Sequence, residues 1–334
     1  FRHEWIITVA CPQIIAVCRL PRSTKDNDGS PPLVQVLATG ASSASPIHGS
    51  SLLRADRDHH IHKMADHRSH GTQKKQENSP HIASYNIRTM RSEEHLINLE
   101  KELQNIKWDV LEISEMRLSG EAVTILKSEH LLFQRNSNEN SHIGGVAFMI
   151  HKRMMKHFIT KTKAISDRVI YITLKINMQI IQAYTPTSAS TDEENETLYE
   201  DLTAAKNTEK AKFIIIIGDF NARVGARAAT NLSYVGAFGL GERYRRGQAM
   251  VDFLSKEKIY CLNTFFKKHH KRKWTWRSRE NTVKNEIDYV LATDKRMCTD
   301  VSVLNRFDIG SDHRLVRAKL QIDIRLERIK APDS

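Results

Sequence analysis

The feature that most constrains the fold of this chain is an uninterrupted apolar run within residues 213–221, which read FIIIIGDFN. Five apolar residues in succession, without the alternation of a half-exposed strand, are typical of a strand buried on both faces inside a layered fold. Asp219 and Asn221 follow the run, and side chains two residues apart on an extended chain point the same way. The pattern fits a rigid strand that presents polar groups for chemistry, and it equally fits a strand followed by an Asp/Asn turn.

Other segments of the chain repeat this arrangement of an apolar strand beside a polar side chain. The further candidates are Asn86 after HIASY, Glu115 after WDVLEIS, Tyr184 after MQIIQA, Asp288 within NEIDYVLA, and Asp312 and His313 before LVRAKLQI. A buried carboxylate is costly unless it is paired or bound to a cation. The recurrence therefore carries more weight than any single residue.

The segments between these strands indicate helices and a mixed order of elements. Ser92, followed by two glutamates, predicts a helix start, and Ser190 with Glu193 predicts a capping box for a second helix that runs to about residue 205. We expect a hairpin of strands at 169–174 and 178–184, a short amphipathic helix at 248–256 and a strand at 260–264. About ten strands and three or four helices, neither strictly alternating nor all-β, predict an α/β fold: a two-sheet sandwich with outer helices.

The composition of the 334 residues limits the classes of partner that this chain is expected to bind. The net charge of +12 and the pI of about 9.5 favour a polyanion, nucleic acid first and an anionic membrane second. No apolar run approaches the ~20 residues of a membrane span. The four cysteines, Cys11, Cys18, Cys261 and Cys298, have no CxxC spacing, which indicates reduced, intracellular thiols.

The two ends of the chain differ in character from the middle. Residues 1–79 contain Ser/Pro clusters and a polar run with few aromatics, and we expect them to be low-complexity and disordered. Five histidines in this segment fit a solvated tail better than a metal site: His59, His60, His62, His67 and His70. We assign one folded domain to residues 80–322 and a C-terminal tail to residues 323–334.

The candidate residues point to a hard cation and to nucleic acid. Carboxylates and carboxamides with a single histidine suit Mg²⁺, which takes oxygen ligands and leaves positions for water and substrate phosphate. A basic segment interleaved with tryptophans, together with the Gly-rich loop GAFGLGERYRRG, supplies the candidate nucleic-acid contacts Lys271, Arg272, Lys273, Trp274, Trp276 and Arg243. The same segment fits an exposed basic hairpin with its tryptophans packed inward, and it also fits a nuclear import signal.

Six motifs in order carry a resemblance to a known family: SYNI, ISEMR, QAYTPT, GDFNARVG, NEIDYV and GSDH. Over residues 80–322 the chain resembles the endonuclease/exonuclease/phosphatase superfamily. It is most similar to the endonuclease domain of RTE/BovB-type non-LTR retrotransposons and to the craniofacial development protein 2-like sequences derived from it, with which it shares FGLGERxxRG, LNTFFKKH and KWTWRS. The resemblance implies a four-layer, DNase I-like α/β sandwich and hydrolysis of phosphodiesters with Mg²⁺, or with Mn²⁺ in its place.

The resemblance also implies roles at the metal and at the attacking water. Glu115 resembles the principal metal-binding glutamate of the family, with Asn86 beside it and Asp312 near the metal. Asp219 resembles the group that orients or deprotonates the attacking water, and Asn221 resembles its phosphate-binding neighbour.

Three further residues resemble the phosphate-facing part of the family's site. Asp288 and His313 resemble a pair in which the carboxylate fixes an imidazole that contacts the scissile phosphate, and Tyr184 resembles a phosphate-contacting tyrosine. Structural alternatives remain open, since Tyr184 also fits a half-buried core ring and Asp288 a salt-bridge partner of Arg314 or Lys284.

The chain departs from the family pattern at particular positions. Apurinic-site nucleases have an aspartate where this chain has Arg88, which argues against assuming abasic-site repair. Glu112 replaces a small residue in the second strand and brings a buried charge that needs a partner. Tyr244 stands in the Gly-rich loop where relatives commonly have asparagine.

These observations lead to one favoured function and two alternatives. The favoured function is a Mg²⁺-dependent endonuclease that nicks target DNA to leave a 3′-hydroxyl. The alternatives are a phosphatase acting on a small phosphoester such as a phosphoinositide, and a catalytically decayed remnant that binds nucleic acid. We expect DNA as the partner, with no membrane and no obligate protein partner, and a nuclear location inside the cell.

Overall fold

A computed structural model of the chain describes residues 79–136, 144–185, 187, 190–227 and 233–322. The segments assigned above to the N-terminal region, up to residue 78, and to the C-terminal tail lie outside the described residues. The five histidines of the N-terminal segment, Cys11 and Cys18 therefore lie outside them as well. Cys261 and Cys298 are both free and buried.

The described residues form fifteen strands and four α-helices. The strands are β1 (His81–Asn86), β2 (Val110–Ser114), β3 (Gly120–Ile125), β4 (Leu131–Asn136), β5 (Val146–Ile150), β6 (Ile159–Ala164), β7 (Val169–Leu174), β8 (Met178–Tyr184), β9 (Phe213–Asp219), β10 (Tyr260–Cys261), β11 (Trp276–Arg277), β12 (Lys284–Asn285), β13 (Asp288–Ala292), β14 (Cys298–Leu304) and β15 (Leu315–Leu320). The helices are α1 (Glu93–Leu103), α2 (Lys152–Phe158), α3 (Asp192–Thr208) and α4 (Arg245–Glu257). Short 3₁₀ turns span Leu262–Phe265, His270–Arg272 and Lys295–Met297.

Two mixed sheets pack face to face. One has seven strands in the order β14-β15-β1-β2-β5-β4-β3, and the other has six in the order β10-β13-β9-β8-β7-β6. Only two neighbouring pairs within these sheets are parallel, β1 with β2 and β8 with β9. The short ribbon of β11 and β12 stands apart from both sheets.

Apolar side chains fill three interfaces, so the fold has four layers. One cluster fills the space between the sheets, a second lies between the six-stranded sheet and helices α3 and α4, and a third lies between the seven-stranded sheet and α1. In β9, Ile215 and Ile217 face the other sheet while Ile214 and Ile216 face the helices. The expected burial of this strand on both faces is confirmed, as is the four-layer sandwich.

Strongly patterned elements match the sequence expectations, and weakly patterned ones do not. The hairpin of β7 and β8 has the predicted bounds, and the side chain of Ser92 caps α1. The predicted capping box was wrong by one residue, because Thr191 and Glu194 form it. The predicted strand at 260–264 pairs only over its first two residues and then turns into a 3₁₀ helix.

The count of about ten strands was too low because several strands were not recognised: β4, the short β11 and β12, and three strands at the sheet edges. β3 and β14 border the seven-stranded sheet, and β6 borders the other sheet. Their side chains are partly exposed on both faces, so they lack the clear apolar period that marks the central strands. Among the described residues, no helix combines the length and the apolar character that a membrane crossing requires.

Candidate active site

The candidate residues gather at one end of the sandwich because of strand direction. The two parallel pairs bring the carboxyl ends of β1 and β2, and of β8 and β9, to this end. Tyr184 pairs with Asp219 across the second of these ladders, and Asp288 pairs with Asp219 across the antiparallel ladder on the other side. Three of the predicted residues therefore lie side by side at the end of one sheet.

Asn86 connects the two sheets at this end. Its side-chain Nδ2 donates to Glu115 Oε1 at 3.0 Å and to Asp219 Oδ2 at 3.0 Å. Its Oδ1 accepts the backbone N–H of Arg88 at 3.0 Å, which fixes the orientation of the amide. One buried amide thus holds together two carboxylates that lie 104 residues apart in the sequence.

Glu115 lies just beyond β2 with a left-handed backbone, φ 56°. Its carboxylate accepts the hydroxyl of Tyr184 at 3.1 Å and a guanidinium N–H of Arg117 at 3.0 Å. Burial would raise the pKa of Glu115, but the hydrogen bonds from Asn86, Arg117 and Tyr184 outweigh it and hold the pKa below its ordinary value. Burial and the neighbouring carboxylates raise the pKa of Tyr184, so the phenol stays protonated and remains a donor.

Asp219 is buried at the centre of the cluster. The backbone N–H of Asn221 donates to its Oδ1 at 3.0 Å, and Asn86 holds the other oxygen. Burial, followed by repulsion from Asp288, raises the pKa of Asp219 to about 7. The side-chain amide of Asn221 donates to the backbone carbonyl of Thr185 at 2.9 Å, so this residue also ties the ends of β8 and β9 together.

His313 and Asp288 form a buried pair. The imidazole Nδ1 lies 3.1 and 3.2 Å from the two carboxylate oxygens of Asp288, and the imidazole Nε2 lies 3.9 Å from Asp219 Oδ2. Burial would lower the pKa of His313, but Asp288 and Asp219 raise it to about 9. Asp288 forms no ion pair with Arg314 or Lys284 among the described residues. Its buried carboxylate is instead paired with the imidazole of His313.

Asp312 completes the group on the exposed side. The indole Nε1 of Trp276 donates to its Oδ2 at 3.2 Å, and Arg88 Nε lies 3.4 Å from its Oδ1. Although Oδ1 is buried and lies within ion-pair range of Arg88, it accepts no hydrogen bond from the described residues. Asp312 therefore keeps an oxygen available for a further ligand.

The donor set fits a hard divalent cation. Glu115 and Asp312 offer carboxylate oxygens, and the unsatisfied oxygen of Asp312 is the atom a cation would satisfy. The amide of Asn86, a predicted metal ligand, turns its Nδ2 toward Glu115 and its Oδ1 toward the backbone N–H of Arg88. A second group, Asp219 with Asp288 and His313, has ligand atoms that all lie within 4.8 Å of one another. In that group the imidazole Nδ1 already donates to Asp288, so the two carboxylates of the first set suit a hard divalent cation better.

The predicted nucleic-acid contacts separate into exposed and buried residues. Lys271 and Arg272 are exposed, and the backbone carbonyl of Lys271 accepts from Arg314, the residue that follows His313. Trp274 is buried, with the guanidinium of Arg314 3.1 Å from its ring centre. The basic loop therefore lies beside the catalytic candidates while one tryptophan packs inward.

Lys273 does not lie on the surface as the sequence predicted. Its ammonium is 3.0 Å from Glu286 Oε1, and both side chains are almost fully buried. The buried carboxylate requires this cation, so Lys273 supports the fold beneath the loop. Arg243 is partly buried and donates to the backbone carbonyl of Val224 and to Gln248, and Trp276 is half-buried against Asp312.

Sequence reasoning missed several supporting residues. Arg117 holds Glu115, Ser311 donates to the backbone carbonyl of Asn86, and the hydroxyl of Thr275 accepts the backbone N–H of Asp288. Arg117 could have been found from its position two residues after Glu115. Nothing in the local sequence marks Ser311 or Thr275, because their partners lie elsewhere along the chain.

The expected buried charge of Glu112 has partners. Its carboxylate accepts hydrogen bonds from Ser84, Ser114 and Gln182, the last of these across the space between the sheets. Burial raises the pKa of Glu112 to about 8, although these three hydrogen bonds act in the opposite direction. The departure from the family pattern is therefore accommodated by a polar network.

The sequence profile of a family described as Endonuclease-reverse transcriptase matches residues 178–317. The matched range contains Tyr184, Asp219, Asn221, Asp288, Asp312 and His313. Asn86 and Glu115 precede it and join the others only through the fold.

Two relatives and two solved structures extend this result. Craniofacial development protein 2 of Bos taurus and that of Tragulus javanicus are each 29% identical over 251 residues, which cover 73% of this chain. The chain spans 41% and 43% of their lengths, less than half of either relative. A 3′ phosphatase, NExo, from Neisseria, solved with a product DNA hairpin, matches with a TM-score of 0.54 and 14% identity over 73% of this chain and 100% of its own. An AP endonuclease from Leishmania major matches with a TM-score of 0.56 and 11% identity over 73% of this chain and 88% of its own.

Two packed mixed sheets with helices on both outer faces define a DNase I-like α/β sandwich, the fold that these solved structures share. The profile match over residues 178–317 and the two relatives support the assignment to the endonuclease/exonuclease/phosphatase superfamily that the sequence motifs predict.

Proposed function

We propose that this chain is a divalent-metal-dependent phosphodiesterase that nicks DNA and leaves a 3′-hydroxyl. The observation that carries the proposal is the bridge that Asn86 makes between Glu115 and Asp219. Through it a candidate metal carboxylate and a candidate base share one amide, and the Asp288–His313 pair lies next to the same base. The arrangement supplies the groups that phosphodiester hydrolysis requires: a base, a cation site and a donor to the phosphate.

Asp219 has the properties of a base for the attacking water. Its pKa of about 7 makes it a much better proton acceptor than an ordinary carboxylate, and it is still largely ionised above neutral pH. The backbone N–H of Asn221 and the amide of Asn86 fix its two oxygens. A fixed carboxylate aligns one water without loss of orientation in the transition state.

His313 has the properties of a donor to the phosphate. Its pKa of about 9 keeps the imidazole charged at neutral pH, with Nδ1–H directed at Asp288 and Nε2 on the side of Asp219, 3.9 Å from Oδ2. A charged, buried donor stabilises the negative charge that develops on a phosphate oxygen during hydrolysis. Asp288 acts through His313, because it fixes the ring and its charge.

Glu115 and Asp312 would hold Mg²⁺ or Mn²⁺, and Asn86 would join them as a ligand once its amide rotates so that Oδ1 replaces Nδ2 beside Glu115. The cation, when bound, would neutralise the phosphate and the leaving oxygen. Tyr184 and Arg117 orient Glu115 through their hydrogen bonds. The hydroxyl of Tyr184 is therefore proposed to position the metal ligand, in place of the phosphate contact inferred from sequence.

Nucleic acid is the substrate that the surface around the site favours. The net charge is +12, and exposed Lys271 and Arg272 lie beside the loop that carries His313. Half-buried Trp276 pairs with His313 and contacts Asp312, and Arg243 of the Gly-rich loop is proposed as a further DNA contact. A basic surface of this kind neutralises the phosphate backbone of a duplex. The retrotransposon-type origin, the nuclear location and the absence of an obligate protein partner belong to this proposal.

The test is nicking of supercoiled plasmid by the full chain with Mg²⁺ and with EDTA. We expect nicks only with Mg²⁺, and 3′ ends that a DNA polymerase extends without further treatment. Glu115→Gln should lower the rate at least about 100-fold, because the change removes the negative charge that the carboxylate contributes to binding a divalent cation. Glu200→Gln makes the same chemical change on the exposed face of α3 and should leave the rate unchanged.

Other outcomes identify other functions. Equal nicking in EDTA would refute the metal-dependent mechanism. Binding of duplex DNA without nicks would favour a catalytically decayed nucleic-acid-binding protein. Release of phosphate from a small phosphoester, with intact plasmid, would favour a phosphatase.

A further inference from the structure

A cavity of about 140 Å³ opens next to the candidate site, where two of its lining residues contact Asp312 and Glu115. Arg88 and Arg117 line it together with Thr89 and His95, and Ile87 and Ile309 form apolar walls. One water molecule needs roughly 10–15 Å³ of such space, so the cavity has room for a phosphate group. None of its lining residues is acidic.

The two arginines reach the cavity from loops that are fixed to each other. The backbone N–H of Ile87 donates to the carbonyl of Ser114 at 3.0 Å, and that of Met90 donates to the carbonyl of Met116 at 2.8 Å. Arg88 and Arg117 both have left-handed backbones, with φ of 62° and 57°. Such conformations are uncommon and strained for residues other than glycine, and they recur at ligand-binding sites.

Each guanidinium uses only part of its hydrogen-bonding capacity within the described residues. Arg88 contacts Asp312 through Nε alone, and its side chain is 43% exposed. Arg117 contacts Glu115 through one terminal nitrogen, while its own Nε is buried without a partner. A buried donor without a partner costs about 1–3 kcal/mol, so a bound acceptor would be favoured at this position.

We propose that this cavity binds a backbone phosphate of the DNA that neighbours the scissile phosphate, with Arg88 and Arg117 as a shared pair of donors. Guanidinium groups match the oxygens of a phosphate, and apolar walls strengthen their field. The proposal rests on the proposed DNA substrate. It assigns to Arg88 a substrate-binding role at the position where apurinic-site nucleases have an aspartate.

Binding is measured by fluorescence anisotropy of a labelled duplex with the full chain in EDTA, over a range of KCl concentrations. Each phosphate neutralised by a protein contributes ~0.9 to the slope of log affinity against log salt. The double variant Arg88→Gln with Arg117→Gln should lower the magnitude of the slope by ~0.9, which corresponds to one shared phosphate. The matched control is Lys295→Gln with Arg296→Gln, which removes two exposed charges beyond the opposite end of β13 and should leave the slope unchanged.

An unchanged slope in the double variant would overturn the proposal, because the arginines would then only neutralise Glu115 and Asp312. A decrease near 1.8 would also overturn it, since each arginine would then bind a separate phosphate.

A second variant tests the cavity with both arginines present. Thr89→Glu introduces a carboxylate into the cavity and should weaken duplex binding at least fivefold at 0.1 M KCl. Thr299→Glu, an exposed change on β14, should not. Equal affinities of the two variants would contradict the proposal.

Because these measurements are made in EDTA, they do not depend on turnover. If the slope depends on the two arginines but the chain does not nick plasmid, the phosphate site is supported and the proposed nuclease activity is refuted. A chain that nicks plasmid with an arginine-independent slope would do the reverse.

Discussion

Glu112 makes the stability of this protein depend on pH in a direction opposite to that of most paired carboxylates. The residue is fully buried between the sheets, and its pKa is raised from the ordinary 4.5 to about 8. The unfolded chain loses this proton near pH 4.5, whereas the folded chain retains it to about pH 8. The folded state therefore binds more protons over this window, and the free energy of unfolding falls as the pH rises.

The size of the effect follows from the difference in pKa. A difference of about 3.5 corresponds to about 5 kcal/mol at ~1.4 kcal/mol for each pH unit, of which about 3 kcal/mol is lost between pH 4.5 and pH 7. Above pH 8 the loss is complete. The three hydrogen bonds from Ser84, Ser114 and Gln182 limit it, because without them the ionised carboxylate would be less stable still.

Urea denaturation of the wild type and of Glu112→Gln between pH 5 and pH 9 measures this effect. The amide cannot ionise, so the stability of the variant relative to the wild type should increase by several kcal/mol as the pH rises. Glu200→Gln is the matched control, and its profile should parallel that of the wild type. A difference between Glu112→Gln and wild type that stays constant within about 0.5 kcal/mol would refute the reasoning.

Three further predictions concern packing and the metal site. Gly218→Ala should lower the free energy of unfolding by more than about 3 kcal/mol in urea, because φ is 152° and the added Cβ would lie 1.9 Å from a carbonyl oxygen of β8; a loss under 1 kcal/mol would contradict this. Lys273→Met should cost about 3–5 kcal/mol in the same assay by leaving Glu286 buried without its cation, and adding Glu286→Leu should restore most of it. Trp276→Phe removes the donor to Asp312 and should raise the Mg²⁺ concentration for half-maximal nicking about tenfold, whereas an unchanged requirement would exclude a positioning role.

The sequence predicted the central strands because a strand that is buried on both faces consists of consecutive apolar residues. The run within β9 and the hairpin of β7 and β8 are examples in which composition and length suffice. The edge strands β3, β6 and β14 were not recognised, since a strand that is exposed on part of both faces has no distinct period. The capping box was placed one residue early because Ser190 and Thr191 both suit an N-cap.

The candidate site was predictable only in part. Motif resemblance singled out Glu115, Asp219 and His313, and the fold brings all three into one cluster of contacts. Motif resemblance did not predict which lysines of the basic segment are exposed, because Lys271 and Lys273 have similar sequence neighbours. One is exposed and the other is buried, and the carboxylate that decides this is thirteen residues further along the chain.

By itself, then, the sequence determined the central strands, their polar ends and the set of residues available for chemistry, because these depend on composition and on periods of a few residues. Only the tertiary structure decided which polar groups meet. Asn86 lies 133 residues from Asp219, and Glu112 takes a hydrogen bond from Gln182 of the opposite sheet. Such contacts depend on how two sheets pack, and no local pattern in the chain records them.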